Sequence, residues 1–288
     1  MKIDDIKKIS VIGSGAMGSQ IAMVCALSGY EVMLQDIQAE SLEKAKDLLS
    51  HQMNKRIEKG KLTEEVVNEA FSRLSFTTEL KTAVQDTDYV IEAIVEKVEV
   101  KKQLFQQLDE LAPSHAILAT NSSTIVSSEI ASATNRPDKV CNMHFFNPVL
   151  VMELVEVVQG PHTSTETAEV TMALSKRLNK TPILLQKEIS GFVANRILGN
   201  LMNEAIYLLE NNIATAEEID LACTKALNHP IGPFALIDLT GLDVHYHVRM
   251  ERYAKSGDEA DKPSPLIMEK VQRGELGRKT GKGFYTYN

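Results

Sequence analysis

One stretch near the N-terminus decides the fold: Ser10-Val11-Ile12-Gly13-Ser14-Gly15-Ala16-Met17-Gly18. An apolar segment, 9–12, runs into glycines with the spacing GxGxxG, and an apolar run typical of a helix follows. In this pattern the first glycine permits a tight turn, the second lets a phosphate approach the backbone, and the third lets the helix pack on the strand. The N–H groups at the start of such a helix attract an anion. The stretch therefore predicts a cradle for the pyrophosphate of a dinucleotide, formed by Gly13, Gly15, Ala16, Met17 and Gly18.

The acid that follows the next predicted strand points to the identity of that dinucleotide. Strand 31–35 ends at Asp36, which lies 18 residues beyond Gly18. An acid near this position of the pattern hydrogen-bonds the ribose hydroxyls of NAD. Ile37 follows, where an arginine could have paired with the 2′-phosphate of NADP. The sequence thus favours NAD as the cofactor, against the alternative of a plain strand–helix–strand unit with an incidental aspartate.

Composition narrows the class of protein. The chain has 288 residues, of which 43% are hydrophobic, enough for one large domain or two ordinary ones. A formal net charge of −8 argues against general nucleic-acid binding. Three widely spaced cysteines indicate unpaired thiols in a reducing compartment. The N-terminus lacks the pattern of a secretion signal and no apolar run approaches the roughly 20 residues of a membrane span, so we expect a cytoplasmic protein without a membrane partner.

The order of the predicted elements indicates the architecture. Strand and helix patterns alternate as far as residue 186, which is typical of a parallel sheet, and only helical patterns follow before the tail. After Asp36 the helices 39–59 and 64–71 form a hairpin inserted before the sheet resumes at 88–94, and a helix over 98–111 follows. We therefore predict an α/β, Rossmann-type, doubly wound and mostly parallel sheet in residues 1–188. An all-α domain is predicted in residues 189–288, with a first helix over 190–210.

Polar residues that follow the strands are candidates for a site, because ligands of parallel sheets bind at the carboxyl ends of the strands. Glu96 follows the strand 88–94, and the hydroxyl-rich run 120–124 follows the strand 116–119. Within that run, Ser122 or Thr124 is expected to cap a helix near Glu129. The pattern leaves open which hydroxyl faces a substrate.

A histidine and a carboxylate stand out further along. His144 ends an apolar strand, and the neutral range in which imidazole titrates suits acid/base chemistry. Glu156 lies in a strand that is apolar on both faces, where an unpaired carboxylate would be costly, so His144 is its expected partner. Such a carboxylate fixes the tautomer of the imidazole and stabilises its protonated form. Glu153 points to the opposite face of the strand, and periodicity alone does not choose between the two acids.

Taken together, the chain resembles the short-chain L-3-hydroxyacyl-CoA dehydrogenase family, particularly its bacterial 3-hydroxybutyryl-CoA dehydrogenases. The resemblance covers nearly the whole sequence. Besides the glycine turn with Asp36, it rests on segments in the family's order: Ile91-Glu92-Ala93-Ile94-Val95-Glu96, Asn121-Ser122-Ser123, His144-Phe145-Phe146-Asn147-Pro148-Val149, Gly191-Phe192-Val193-Ala194-Asn195-Arg196, Asn228-His229-Pro230 and Gly281-Lys282-Gly283-Phe284-Tyr285.

The resemblance implies NAD-dependent oxidation of an L-3-hydroxyacyl-CoA and the reverse reduction of a 3-ketoacyl-CoA. It implies that His144 is the general base on the substrate hydroxyl and that Glu156 orients it. Ser123 and Asn195 would hydrogen-bond around the reacting oxygens. The residues implied to contact NAD or order its site are Glu96, Lys101, Ser123, Asn147 and Lys279.

Two lysines and the second domain complete what the resemblance implies. Lys55 and Lys59 would contact coenzyme A, although the charge pattern of their helix alone favours a solvated face. The second domain would supply a homodimer interface and part of the substrate cleft. The chain departs from the family at Leu150 and Glu153, where proline and lysine are common, and in the order of residues around Ser123.

Two alternatives stay open. One is a dehydrogenase of free 3-hydroxy acids, which also joins a Rossmann domain to a helical one but uses a lysine where Asn195 stands. The other is an NAD-binding protein of the same fold without catalytic activity. Oxidation of NADH with acetoacetyl-CoA, with free acetoacetate and without substrate separates the three.

Overall fold

The computed structural model describes residues 1–287. The chain divides into two compact units, Met1–Val193 and the part from Ala194 onward. Every strand of the described sheet lies in the first unit, which also carries the glycine turn and His144. Within the described residues no helix is long and apolar enough to traverse a bilayer.

The first unit is built on an eight-stranded sheet. Its strands are β1 (Lys8–Ile12), β2 (Glu31–Gln35), β3 (Leu74–Thr77), β4 (Tyr89–Glu92), β5 (Ile117–Thr120), β6 (Val140–Phe145), β7 (Leu154–Val158) and β8 (Thr181–Leu185). They lie in the order β3-β2-β1-β4-β5-β6-β7-β8. Neighbours from β3 through β6 are parallel, β7 is antiparallel to β6, and β8 is parallel to β7. The predicted Rossmann-type, mostly parallel sheet is confirmed.

Side chains alternate between two buried layers because successive residues of a strand face opposite sides of the sheet. Val11 and Ile91 belong to one apolar cluster, whereas Ile12 and Val90 belong to the other. Both layers are covered by helices. In this unit they are α1 (Ala16–Leu27), α2 (Ala39–Glu58), α3 (Glu64–Ser72), α4 (Leu80–Val84), α5 (Val98–Leu111), α6 (Ser128–Ala131) and α7 (Thr165–Arg177).

The inserted helical hairpin is present as α2 and α3, and α5 has the predicted bounds. Sequence patterns missed β3 and α4, which follow the hairpin. These elements have four and five residues, too few to display a period of their own. Their place is set by tertiary contact, since β3 pairs with β2 along its whole length.

The second unit contains α8 (Ala194–Glu210), α9 (Ala216–Lys225), α10 (Pro233–Thr240), α11 (Leu242–Ser256) and α12 (Pro265–Gln272). The prediction that its first helix starts at 190 was wrong. Gly191 and Phe192 have φ of 76° and 46°, a left-handed conformation that interrupts a right-handed helix. The helix therefore begins only at Ala194.

The C-terminal tail packs back onto α10. The buried carboxylate of Asp238 accepts hydrogen bonds from the backbone N–H groups of Phe284 and Tyr285, each at 2.9 Å. A Cβ added to Gly283 would lie 2.0 Å from Asp238 Oδ1, so only glycine lets the tail approach so closely. The tail is thus fixed to its own unit.

Candidate active site

The glycine turn between β1 and α1 is tightly packed at its first and third glycines and open at its second. Gly13 has a φ of 100°, and a Cβ there would lie 2.5 Å from the carbonyl oxygen of Ala93. A Cβ on Gly18 would lie 1.8 Å from the carbonyl oxygen of Gly13. On Gly15, by contrast, an added Cβ would meet no atom within 4 Å. Packing therefore requires the outer two glycines, while the middle one leaves space at the start of α1 for an anion.

Asp36 stands at the carboxyl end of β2, beside this turn. Its Oδ2 accepts hydrogen bonds from Ser14 N at 2.9 Å and Ser14 Oγ at 2.8 Å, and its Oδ1 accepts one from Gln38 N at 3.0 Å. The glycine turn, Asp36 and the exposed side chain of Ile37 line a cleft of about 750 Å³. Its size lies in the range of small-molecule sites. An open anion position and an oriented acid in one cleft fit a dinucleotide.

The sheet itself brings His144 and Glu156 together. They are directly opposite each other on the antiparallel strands β6 and β7. His144 Nδ1 lies 2.8 Å from Glu156 Oε2, and both residues are buried. Glu153 is exposed and precedes β7, so the structure pairs His144 with Glu156 and not with Glu153.

A second contact fixes the carboxylate of Glu156. Its Oε1 accepts a hydrogen bond from Val193 N at 2.9 Å. Because an ionised carboxylate only accepts hydrogen bonds, Nδ1 of His144 must carry the ring proton, which leaves Nε2 as an acceptor. The rings of Phe146 and Phe192 pack against the imidazole, with centroids 4.5 and 5.4 Å away. Nε2 of His144 can therefore take a proton in surroundings that are partly apolar.

The turn after β5 is held from two sides. Asn121 Oδ1 accepts a hydrogen bond from Phe145 N at 2.9 Å, which ties the turn to β6. Ser122 Oγ donates to Glu96, and Thr124 Oγ1 donates to the same carboxylate oxygen at 2.9 Å. Among the described residues the half-buried Ser123 has no side-chain hydrogen-bond partner. Its hydroxyl is therefore available to a ligand.

The expectation that Ser122 or Thr124 caps a helix near Glu129 was wrong. The helix in question, α6, begins at Ser128 with Ser127 as its N-terminal flanking residue. The hydroxyls of Ser122 and Thr124 are instead directed to Glu96, which lies 26 and 28 residues earlier in the chain. A carboxylate attracts these hydroxyls more strongly than a neutral amide does.

Lys101 lies beneath this turn, almost fully buried on α5. Its Nζ is 2.6 Å from Glu92 Oε1 and 3.2 Å from Glu96 Oε2. Burial alone would raise the pKa of Glu96, but Lys101 and the hydroxyls of Ser122 and Thr124 outweigh it and hold that pKa below its usual range. Glu92 was not among the predicted site residues, although a charged residue at the end of an otherwise apolar strand was a signal for it.

The remaining predicted site residues are more scattered. Asn147 is exposed just after β6, and Lys55 and Lys59 are exposed at the end of α2. In the second unit, Asn195 is the second residue of α8. There, too, Lys279 Nζ forms an ion pair with Asp243, 2.6 Å from Oδ2. Residues 1–287 contain no group of three or more His, Cys, Asp or Glu side chains placed to hold a metal ion.

Comparison with known proteins gives consistent matches along the chain. The model of the "3-hydroxyacyl-CoA dehydrogenase, NAD binding domain" family matches residues 8–189, and that of the "3-hydroxyacyl-CoA dehydrogenase, C-terminal domain" matches residues 191–287. The 3-hydroxybutyryl-CoA dehydrogenase of Clostridioides difficile is 44% identical, covering 98% of this chain and 99% of that protein. The mitochondrial hydroxyacyl-coenzyme A dehydrogenase of Rattus norvegicus is 40% identical, covering 98% of this chain and 91% of that protein.

A solved structure agrees with these matches. The (S)-3-hydroxybutyryl-CoA dehydrogenase of Ralstonia eutropha superimposes with a TM-score of 0.92 at 40% sequence identity. The superposition covers 98% of this chain and 99% of that one. The similarity therefore extends to both units of the chain.

Proposed function

Because the chain belongs to the 3-hydroxyacyl-CoA dehydrogenase family, we propose that it oxidises L-3-hydroxybutyryl-CoA with NAD and catalyses the reverse reduction of acetoacetyl-CoA. The observation that carries this proposal is the buried His144–Glu156 pair. It lies in the same sheet whose first strand leads into the dinucleotide cradle. A base and a nicotinamide cofactor are what the oxidation of an alcohol requires.

His144 does the proton chemistry in this proposal. In the direction of oxidation, its Nε2 accepts the proton of the substrate 3-hydroxyl, and in the direction of reduction it returns that proton to the developing alkoxide. Glu156 retains the Nδ1 proton and stabilises the imidazolium that forms. General base catalysis of this kind contributes about 10²- to 10⁴-fold to the rate. NAD, when bound, supplies the ring that accepts the hydride.

Other residues hold the reactants. We assign the hydroxyl of Ser123 to a hydrogen bond with the reacting oxygen, and the support is that this hydroxyl has no partner within the described residues. Asn195 is assigned the same task from the second unit. Gly13, Gly15, Ala16, Met17, Gly18, Asp36, Glu96, Lys101, Ser123, Asn147 and Lys279 are assigned to NAD or to the order of its site. In this proposal residues 1–188 hold the cofactor, and residues 189–288 complete the substrate site.

We assign Lys55 and Lys59 to the nucleotide part of coenzyme A. They are exposed and four residues apart at the end of α2, so they occupy one face of that helix. Two neighbouring ammonium groups suit a phosphate as point charges. We also propose a homodimer through the second unit, supported by the exposed apolar side chains of Ile197, Ile213 and Leu227. Three unpaired, buried cysteines support a cytoplasmic location.

A series of substrates tests the proposed reaction. NADH oxidation should be fast with acetoacetyl-CoA, slower with acetoacetyl-pantetheine, and negligible with free acetoacetate or without substrate. A preference for free acetoacetate would instead favour a dehydrogenase of free 3-hydroxy acids. NADH binding without oxidation of any substrate in the series would indicate a catalytically silent protein. Extending the series to longer 3-ketoacyl-CoA thioesters measures the preferred chain length.

The coenzyme A contact has its own test. Lys59→Ala should raise the KM for acetoacetyl-CoA about three- to tenfold, the loss expected from one exposed charge contact of about 1 kcal/mol, and leave that for acetoacetyl-pantetheine unchanged. Lys46→Ala, on the same helix but two turns or more away, is the matched control and should change neither KM. Equal effects of Lys59→Ala on both substrates would refute the assignment.

A further inference from the structure

Glu92 is a buried carboxylate that the proposed reaction does not use. It ends β4 and is 0% exposed. Its Oε1 accepts hydrogen bonds from Lys101 Nζ at 2.6 Å and Ile94 N at 2.7 Å, and its Oε2 accepts one from Thr120 Oγ1 at 2.6 Å. Burying an acid is costly unless it is fully paired, and an apolar residue in its place would often cost nothing. The groups that donate hydrogen bonds to Glu92 therefore indicate which part of the structure its charge holds in place.

Two chains of contacts lead from Glu92 to one turn, residues 121–124. In the first, the Thr120 hydroxyl donates its single proton to Glu92 in a hydrogen bond. The lone pairs of the Thr120 oxygen therefore face Ser122 N, which donates to it at 3.1 Å. In the second, Lys101 holds Glu96, whose Oε1 accepts hydrogen bonds from the hydroxyls of Ser122 and Thr124. We call Glu92, Lys101, Glu96, Thr120 and Ser122 the Glu92 network.

The Glu92 network decides which hydroxyl of the turn is available. The turn carries three adjacent hydroxyls, at residues 122–124. Those of Ser122 and Thr124 are bound to Glu96, whereas Ser123 has no such partner among the described residues. The turn is also tied to β6 through Asn121 and Phe145, and Phe145 directly follows His144. A change at Glu92 therefore reaches a turn that is bonded next to the catalytic histidine.

We propose that Glu92 is a positioning residue for the reaction, which holds turn 121–124 through Thr120 and Lys101 so that the hydroxyl of Ser123 faces the substrate. This inference rests on the proposed function, in which Ser123 binds the reacting oxygen. Without the charge of Glu92, Lys101 is left with Glu96 as its carboxylate partner, which draws Glu96 away from the hydroxyls of the turn. In Glu92→Gln an amide oxygen that keeps the bonds from Lys101 and Ile94 N leaves the NH2 group facing Thr120, whose hydroxyl then loses its acceptor. The lone pairs of that hydroxyl are then no longer oriented toward Ser122 N.

Four variants test the positioning role. Glu92→Gln removes the charge but keeps the shape, and Thr120→Val removes the hydroxyl at constant shape. Thr120→Ser restores that hydroxyl and is the conservative rescue. Asp109→Asn is the matched control, because Asp109 is another ion-paired acid with little side-chain exposure, at the other end of α5, bound to Arg136 Nε at 2.7 Å. Because Thr120→Val and Thr120→Ser leave every charge in place, this pair decides the question even if Glu92→Gln does not fold.

Turnover and amide hydrogen exchange are the two measurements. We expect Glu92→Gln and Thr120→Val to lower kcat on acetoacetyl-CoA about tenfold or more, with KM within about threefold. The amides of Ser122, Thr124 and Ile125 should exchange about tenfold faster, since each donates to a group of the network or to a hydroxyl that it holds. Thr120→Ser and Asp109→Asn should stay within about twofold of wild type in both measurements.

A double-mutant cycle that combines Thr120→Val with Ser123→Ala tests whether Ser123 is the group that is positioned. In that background Thr120→Val should cause no further loss of kcat, because residues that act as one unit are not additive. A full additional loss, or wild-type kcat and exchange in folded Glu92→Gln and Thr120→Val, would overturn the inference. A wild-type protein inactive on acetoacetyl-CoA would refute the proposed function instead. The positioning of the turn would then be supported or overturned by amide exchange alone, which requires no substrate.

Discussion

Replacing Glu156 by glutamine gives the sharpest prediction for the proposed mechanism, because its hydrogen bonds with Val193 N and His144 Nδ1 restrict how the amide can bind. Glu156 Oε1 accepts from Val193 N at 2.9 Å, and Oε2 lies 2.8 Å from His144 Nδ1. If the amide oxygen keeps the bond to Val193 N, the amide NH2 group faces Nδ1. Nδ1 must then give up its proton, the proton moves to Nε2, and His144 can no longer accept a proton from a hydroxyl.

The opposite orientation of the amide restores the tautomer at a cost. The NH2 group would then face Val193 N–H, two donors without an acceptor in a buried position, at about 1–3 kcal/mol. This leaves the productive orientation in about a sixth of the molecules or fewer, since 1.4 kcal/mol corresponds to a factor of ten. The charge that stabilises the imidazolium is lost in both orientations. We therefore expect kcat to fall about 10²- to 10⁴-fold, equivalent to about 2.7–5.4 kcal/mol of transition-state stabilisation.

The assay is NADH oxidation with saturating acetoacetyl-CoA, accompanied by an NADH titration followed by fluorescence. Glu156→Gln should keep the Kd for NADH within about twofold, because the glycine turn and Asp36 are unaltered. Glu153→Gln, an exposed carboxylate three residues earlier in the same segment, is the matched control and should keep its turnover. A Glu156→Gln protein with more than about a third of the wild-type kcat, or an equal loss in Glu153→Gln, would refute the reasoning.

The cradle and the acid stability of the fold give further predictions. Gly15→Ala should keep the wild-type Tm, because its Cβ meets no atom within 4 Å. The variant should nevertheless bind NADH at least about tenfold more weakly, and wild-type affinity would contradict the assignment of this turn to the pyrophosphate. Gly18→Ala should lower the Tm, since its Cβ would lie 1.8 Å from the Gly13 carbonyl oxygen, and an unchanged Tm would contradict that packing. Burial would raise the pKa of Asp88, but two backbone N–H groups at the entry to β1 and His115 hold it below its ordinary value of 3.8. The stability that Asp88 contributes is thus present above pH 3.8 and is lost as pH falls through the lower folded-state pKa. Asp88→Asn should therefore lower the Tm at neutral pH and make the Tm depend less on pH in acid. Parallel curves of Tm against pH for the two proteins would contradict this role of Asp88.

Local patterns predicted a large part of the fold. The glycine spacing predicted β1 and α1, because the turn between them is set largely within one segment: Gly18 packs against the carbonyl oxygen of Gly13, five residues earlier. The apolar periods of α2, α3 and α5 are long enough to be read without knowledge of their neighbours. The patterns failed where an element is short, as in β3, or where an uncommon backbone conformation at Phe192 stops a helix that its side chains could continue.

Some features of the candidate site follow from the sequence, and others follow only from the tertiary structure. The sequence by itself determined a dinucleotide cradle, an acid at Asp36 and a histidine at the end of a strand, since these depend on spacing within one segment. Only the tertiary structure decided that Glu156, and not Glu153, faces His144, because the antiparallel register of β6 and β7 sets that choice. It likewise decided that Glu96 binds the hydroxyls beside Ser123. Those partners are 12 to 28 residues apart, a separation at which local conformation carries no information and sheet pairing brings side chains together.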